Sequence, residues 1–186
     1  MKERPILFSG PMVRAILKGD KTQTRRKIKH VGHYDKMQWL IWDAAAGTGG
    51  WGVQSSDGQW YKVPCPYGFP GDRLWVRETW RVNGNEHDYA IAKRDGVFYR
   101  ADEDWNTDAG WRPSIFMPRW ASRITLEVVS VRAQRLQDIS HADGSAEGFD
   151  SLDGFALLWD RINEKRGYGW QDNPWVWAVE FRAVKA

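Results

Sequence analysis

Cysteine is nearly missing from this chain: among 186 residues Cys65 stands alone. That excludes an internal disulfide and a cysteine-based zinc cluster, and it suits a reducing compartment. Histidine is sparse as well. The four histidines are scattered, and only His30, His33 and Asp35 in "HVGHYD" come near a metal-ligand spacing. Without a cysteine beside them no metal is expected there. No apolar run approaches the roughly 20 residues of a membrane-crossing helix. The opening "MKERPILFSG" meets Pro and Gly too soon for a signal peptide. The expectation is a cytoplasmic protein with no membrane partner. Charge of one sign is not in great excess, since 27 Lys and Arg stand against 24 Asp and Glu for a net +3. A polycation of the histone kind is excluded, so any nucleic-acid argument must rest on local clustering. Also missing are a Gly-rich phosphate loop, a Ser-His-Asp order with a glycine elbow and a dinucleotide fingerprint. Internal repeats and low-complexity tracts are absent too, and no cofactor is expected.

Tryptophan is what the chain has in excess. Thirteen Trp within 42% hydrophobic residues argue for a real core despite the low mean hydropathy. Trp in that number serves packing, and several could line a pocket that stacks on a flat ring. The length suits one domain, residues 1–186, carrying large insertions.

Residues 5–8 form an apolar run that predicts a short strand. Ser9 and Pro11 then start a helix, in which Val13, Ile16 and Leu17 recur at helical spacing. Gly19 stops it, because a left-handed exit favours a residue without Cβ. "KTQTRR" reads as a strand or extended edge. From about 28 to 68, stretches such as "AAAGTGGWG" predict an insertion of loops and hairpins. "PGDRLWVRETW" predicts a turn into a strand with Leu74 and Val76 on one face and Trp75 and Arg77 on the other. A second insertion spans about 83–112, with an Asp95–Gly96 turn. "ASRITLEVVSVRAQRL", rich in β-branched residues, predicts a long central strand. Ser140 with Asp143 predicts a helix cap, and the short helix that follows ends near Gly148. A longer helix over 151–165 puts Phe155, Leu158, Trp159 and Ile162 on one face. "NPWVWAVEF" predicts a closing strand with Trp175, Trp177, Val179 and Phe181 on one side. The order suggests a small mixed sheet or pseudo-barrel with helices packed at its ends.

Five Lys or Arg fall in the nine residues from Lys21 to Lys29. Lys21 and Thr24 sit three apart just after Gly19, so a bend near Gln23 is needed to bring them to one place. A lysine among other cations and partly desolvated has a lowered pKa, and as a neutral amine it takes a proton from a hydroxyl. Spacing alone leaves three readings: a nucleophile with its base, a solvated basic edge, or a phosphate cradle with stacking aromatics. A catalytic floor turns only Lys21, Thr24 and Arg26 inward and leaves Arg25, Lys27 and Lys29 outside. Asp72, Glu78 and Glu147 are the candidate carboxylates. Glu147, between Ala146 and Gly148, reads in isolation as a surface acid.

"GDKTQTRR" (Gly19 to Arg26) resembles the glycine-x-lysine-x-x-(acid or threonine)-x-arginine signature of the ASCH domain, a branch of the PUA-like fold linked with RNA. A strand and helix precede it. A "GD" turn at Gly71 and Asp72, a long strand, an "L-x-D-I-S" helix entry and a closing "W-x-x-E-F" strand follow in family order, and both insertions lie outside. The chain is most similar to phage-encoded ASCH-type proteins. The resemblance implies an α+β, PUA-like mixed β-barrel or sheet. Many ASCH domains have Glu where Thr24 stands; threonine is shared with the small bacterial N4-acetylcytidine amidohydrolases. That implies Lys21 as proton acceptor, Thr24 as nucleophile and Glu147 as proton donor, the last by helix register and not by identity. Arg26 and Gly19 are implied as substrate-binding. The implied partner is a modified pyrimidine nucleoside or RNA, and the rival readings are a non-catalytic RNA-binding module and an ASCH-type ribonuclease.

Overall fold

A computed structural model describes residues 1–29, 40–43, 50–54, 60–82, 96–102 and 110–184; of 40–43, 50–54 and 60–62 it describes the backbone alone. Among the described residues the strands are β1 (Glu3–Leu7), β2 (Gln23–Lys27), β3 (Leu40–Asp43), β4 (Gly50–Gln54), β5 (Trp60–Lys62), β6 (Arg73–Arg77), β7 (Trp80–Val82), β8 (Val97–Tyr99), β9 (Thr125–Arg135) and β10 (Trp175–Val184). The α-helices are α1 (Gly10–Lys18), α2 (His141–Ala146) and α3 (Leu152–Asn163). The fold is α+β.

Five strands form the main sheet in the order β1-β6-β9-β10-β2. β1 lies parallel to β6, and the other pairs are antiparallel. The sheet therefore has two open edges, β1 and β2. The Arg26 guanidinium donates to the Leu7 carbonyl and draws those edges toward each other, so the sheet curls into an incomplete barrel. Its inner face buries Ile6, Phe8, Leu74, Val76, Leu126, Trp177 and Val179, with Val13 and Ile16 of α1 packed among them. Leu74, Leu126, Val13 and Val179 are fully enclosed, and each stabilises the fold by roughly 1.5–3 kcal/mol.

The opposite face carries a second core, where Phe155 and Trp159 of α3 cover Val176, Leu136 and Ile139. β10 is thus buried on both sides, which the alternation of its Trp residues did not convey. Leu158 is half-buried and Ile162 is exposed, so the predicted apolar face of α3 is narrower than its sequence. α1 starts at Ser9 with Pro in its first turn and exits through Gly19 at φ 87°, as the left-handed exit requires.

The first insertion folds as an antiparallel meander β3-β4-β5. Its ends belong to the main core, because Ile28 and Cys65 are buried there. Within the second, β8 pairs antiparallel with β7, the strand that precedes the insertion, beside a small cluster of Trp80, Met117 and Ala121. His30, His33, Asp35 and Asp95 lie outside the described residues. Among those described, no group of His, Cys, Asp and Glu is placed to hold a metal, and no helix is long and apolar enough to cross a membrane.

Candidate functional site

The corner after α1 positions the first site residue. The backbone N–H groups of Asp20 and Lys21 both donate to the Ala15 carbonyl, and that of Thr22 donates to the Ala146 carbonyl at 2.8 Å. The bend therefore falls before Gln23, within Gly19–Thr22, and it ties the motif to the end of α2. Gly19 itself is exposed and lines no part of the cavity described below. At φ 87° it forms the left-handed exit of α1; the resemblance had implied substrate contact.

α2 brings the carboxylate. Ser140 accepts from the Asp143 N–H, and Asp143 returns a bond to the Ser140 N–H, a reciprocal cap that fixes the helix start. Six residues later Glu147 is the C-terminal cap. Gly148 follows at φ 86°, so close to the corner that a Cβ there would lie 3.5 Å from the Lys21 Cβ. Glu147 is not a surface acid: it is 3% exposed. Its Oε2 accepts from Lys21 Nζ at 2.7 Å and its Oε1 from Arg25 Nη1 at 3.2 Å. Lys21 also donates to the Glu147 carbonyl at 2.9 Å.

Strand alternation sorts the rest. Thr24 stands opposite Val179 and Arg26 opposite Trp177. Both partners belong to the inner core, and directly opposed residues share a face. Thr24 and Arg26 therefore face inward. Arg26 stacks over the Phe8 ring at 5.0 Å, and its buried Nε has no hydrogen-bond partner. Gln23, Arg25 and Lys27 take the other face. Arg25 is not an outer, solvated cation: it is 4% exposed. It meets Glu147, the Gln23 side-chain oxygen and Asp143, the last at 3.2 Å. Gln23 in turn donates to Asp143 at 3.0 Å.

Lys21 and Asp143 are both displaced from their ordinary values. Burial pushes the Lys21 ammonium down; the charge and hydrogen bond of Glu147 pull it up, Arg26 and Arg25 push down again, and the net is downward. For Asp143 burial acts upward, but hydrogen bonds from Gln23 and Ser140, with the Arg25 charge, outweigh it and hold the carboxyl at about 2. The cluster is thus two buried cations, one buried carboxylate and one flanking carboxylate, in a nearly dry place where each pairing is strong.

A cavity of about 80 Å³ runs along the edge strand β2, lined by Thr24, Arg25, Arg26 and Lys27 and by Glu147, and is flanked by Phe149 and by Leu158 and Ile162 of α3. Lys21 stands behind Glu147 and not on the wall. The space is roughly half of the ~150 Å³ that accepts a benzene-sized ring. The other candidate carboxylates lie elsewhere. Asp72 pairs with Arg4 at 2.7 Å. Glu78 gives both oxygens to Arg123 at 3.0 and 3.1 Å.

Sequence reasoning missed Gln23, Arg25, Asp143, Phe8 and Tyr67. Asp143 was legible only as a cap. Tyr67, whose phenol burial pushes up and the Arg26 charge pulls back, carried no motif at all.

The sequence matches no protein-family model and no curated protein. Two solved structures are similar in shape. One is a DUF984 protein of Enterococcus faecalis V583, 9% identical with a TM-score of 0.46, the match covering 99% of this chain and 81% of that one. The other is an ASCH domain from Lactobacillus crispatus JV V101, 11% identical with a TM-score of 0.46, covering 100% of this chain and 81% of that one. Likeness at this level says nothing of the site.

Proposed function

We propose that the chain is an ASCH-type module of PUA-like fold that hydrolyses an amide on an acylated pyrimidine nucleoside, with N4-acetylcytidine the first substrate to test. The observation that carries this is the buried Lys21–Glu147 contact at 2.7 Å beside a threonine on the same cavity wall as the glutamate. A lysine and a carboxylate this close hold their protons as one unit. Thr24 Oγ attacks the acyl carbonyl and its proton passes to the Lys21–Glu147 pair. The carbon–nitrogen bond breaks, and the pair returns that proton to the departing ring amine through Glu147, the member on the cavity wall. Water then gives a proton to the same pair and attacks the threonine ester; the ester carbon–oxygen bond breaks, the pair returns that proton to Thr24 Oγ, and acetate is released. The unpaired Arg26 Nε is a buried donor suited to the oxyanion or to the ring carbonyl.

The distribution of cations weighs against a phosphate cradle on Lys21, Arg25 and Arg26. Lys21 and Arg25 are neutralised by Glu147 and Asp143, and Arg26 faces the core.

The test is acetate release from N4-acetylcytidine, free and within an oligonucleotide. Thr24→Val is expected to lower turnover by a factor on the order of 10³ or more with an unchanged urea midpoint. Absence of acetate with either substrate from the unaltered chain removes this substrate class. Full activity in Thr24→Val removes the nucleophile.

A further inference from the structure

We propose a second site, which borders the cavity beside Thr24 at Lys27: the seam between the two open edges of the sheet is a cleft for a phosphorylated ring ligand of nucleotide size. Counting directions across the sheet, β1 and β2 run antiparallel to each other without pairing. They are held together at Arg26 and Leu7 and part beyond it. The gap left between Arg4–Pro5 on one side and Lys27–Lys29 on the other is a cleft of about 650 Å³, roofed by residues 63–67. That volume falls within the roughly 300–1,000 Å³ of small-molecule sites.

Its walls and its charges point to one kind of ligand. Pro5 forms part of one wall and Pro64 and Pro66 part of the roof, and none of them has a backbone N–H to donate. The floor is the enclosed Trp177, and the half-buried Tyr67 ends the roof. Such a slot favours a flat, largely apolar body over a sugar or a peptide backbone. Arg4, Lys27 and Lys29 supply three cations, and no carboxylate is among the described lining residues. Arg4 is partly neutralised by Asp72, and the Lys27 ammonium stands over the Tyr168 ring, leaving the exposed Lys29 as the principal anion contact. A ring with a phosphate attached satisfies both halves of the cleft. Cys65, between the two roof prolines, is buried and its thiol is pushed up to about 11, so it anchors the roof and is not reactive.

Titration calorimetry on the full chain with uridine 5′-monophosphate, uridine, inorganic phosphate and a short oligouridylate tests this. Lys29→Glu and Pro64→Trp are the variants, both at exposed positions and both outside the cavity beside Thr24. The mononucleotide is expected to bind more tightly than uridine or phosphate alone. Lys29→Glu is expected to weaken it roughly tenfold or more, as loss of a hydrogen bond to a charged group does, and Pro64→Trp to abolish it by filling the slot. Oligouridylate binding more tightly than the mononucleotide, and lost in both variants, supports the cleft with a strand as its ligand; equal affinity supports it with a free nucleotide. Three results overturn it: no mononucleotide binding up to millimolar concentration, binding unchanged in both variants, or phosphate alone binding as tightly as the nucleotide. Acetate release unchanged in both variants keeps this result separate from the fate of the Thr24 reading.

Discussion

Replacing Glu147 with alanine removes the only carboxylate facing Lys21 and half of the acidic company of Arg25. Lys21 is 2% exposed and Arg25 4%, so neither charge can turn to water without opening the corner that Thr22 and Ala146 close. Breaking a buried pair from one side costs about 3–5 kcal/mol, because the surviving charge is left desolvated. Against a total stability of roughly 5–15 kcal/mol for a domain, that is about a fifth or more of what holds the fold. With a urea slope of about 2 kcal/mol per molar, the unfolding midpoint falls by about 1.5–2.5 M. Circular dichroism of both proteins through a urea series measures it. Lys21→Met is expected to lose less, since methionine fills much of the lysine volume and Glu147 keeps Arg25 at 3.2 Å. A Glu147→Ala midpoint within about 0.3 M of the unaltered chain, as for a surface substitution, refutes the buried-cluster argument.

The lowered Lys21 pKa makes stability rise with pH up to the ordinary value of 10.5, because over that window the unfolded chain holds a proton the folded one has shed; urea midpoints in an alkaline series should climb in the unaltered chain and not in Lys21→Met. Asp143 acts with the same sign at the acid end of the scale. Its carboxyl, held at about 2 against an ordinary 3.8, contributes stability that is full above about pH 4 and lost as pH falls toward 2, about 2 kcal/mol in all; an acid titration of Asp143→Asn should lack that loss. Gly68→Ala, at φ 89° with its Cβ 2.5 Å from Arg4 Nη1 and 2.6 Å from Asp72 Oδ2, should lower stability by about 2 kcal/mol or more. Gly19→Ala, at φ 87° in open space, should lose only about 1 kcal/mol, and equal melting shifts for the two would count against the steric part.

Elements governed by local chemistry were legible in the sequence. The Gly19 stop, the Ser140–Asp143 cap and the Leu74–Val76 face depend on residues within one turn or one strand. What depended on pairing was not. β9 reads as a regular strand, but its register with β10 shifts between Glu180 and Phe181, which places one extra residue in β9. Inward positions therefore pass from Val128 to Val131 and skip the 44% exposed Val129, a break in alternation that only the bulge explains. The two buried faces of β10 were hidden likewise, because its second face is covered by a helix that follows a different part of the chain.

The basic run shows why charge counts mislead at a sheet edge. Five cations within nine residues look like one feature, yet a strand sends successive side chains to opposite faces. Arg26 enters the barrel, Arg25 meets the end of α2, and Lys27 and Lys29 border the seam. Lys21, ahead of the strand, is free of that alternation and reaches Glu147 by the bend at Gly19–Thr22. Burying Lys21 and Arg25 is tolerable only because β2 is an edge strand. An inner strand would have neighbours on both sides, whereas the open side of β2 lets α2 approach and bring Glu147 and Asp143 to the cations. The same open side leaves the seam where β1 and β2 fail to pair. Both candidate sites thus follow from the one unpaired edge, and a sixth strand closing the barrel would remove them together.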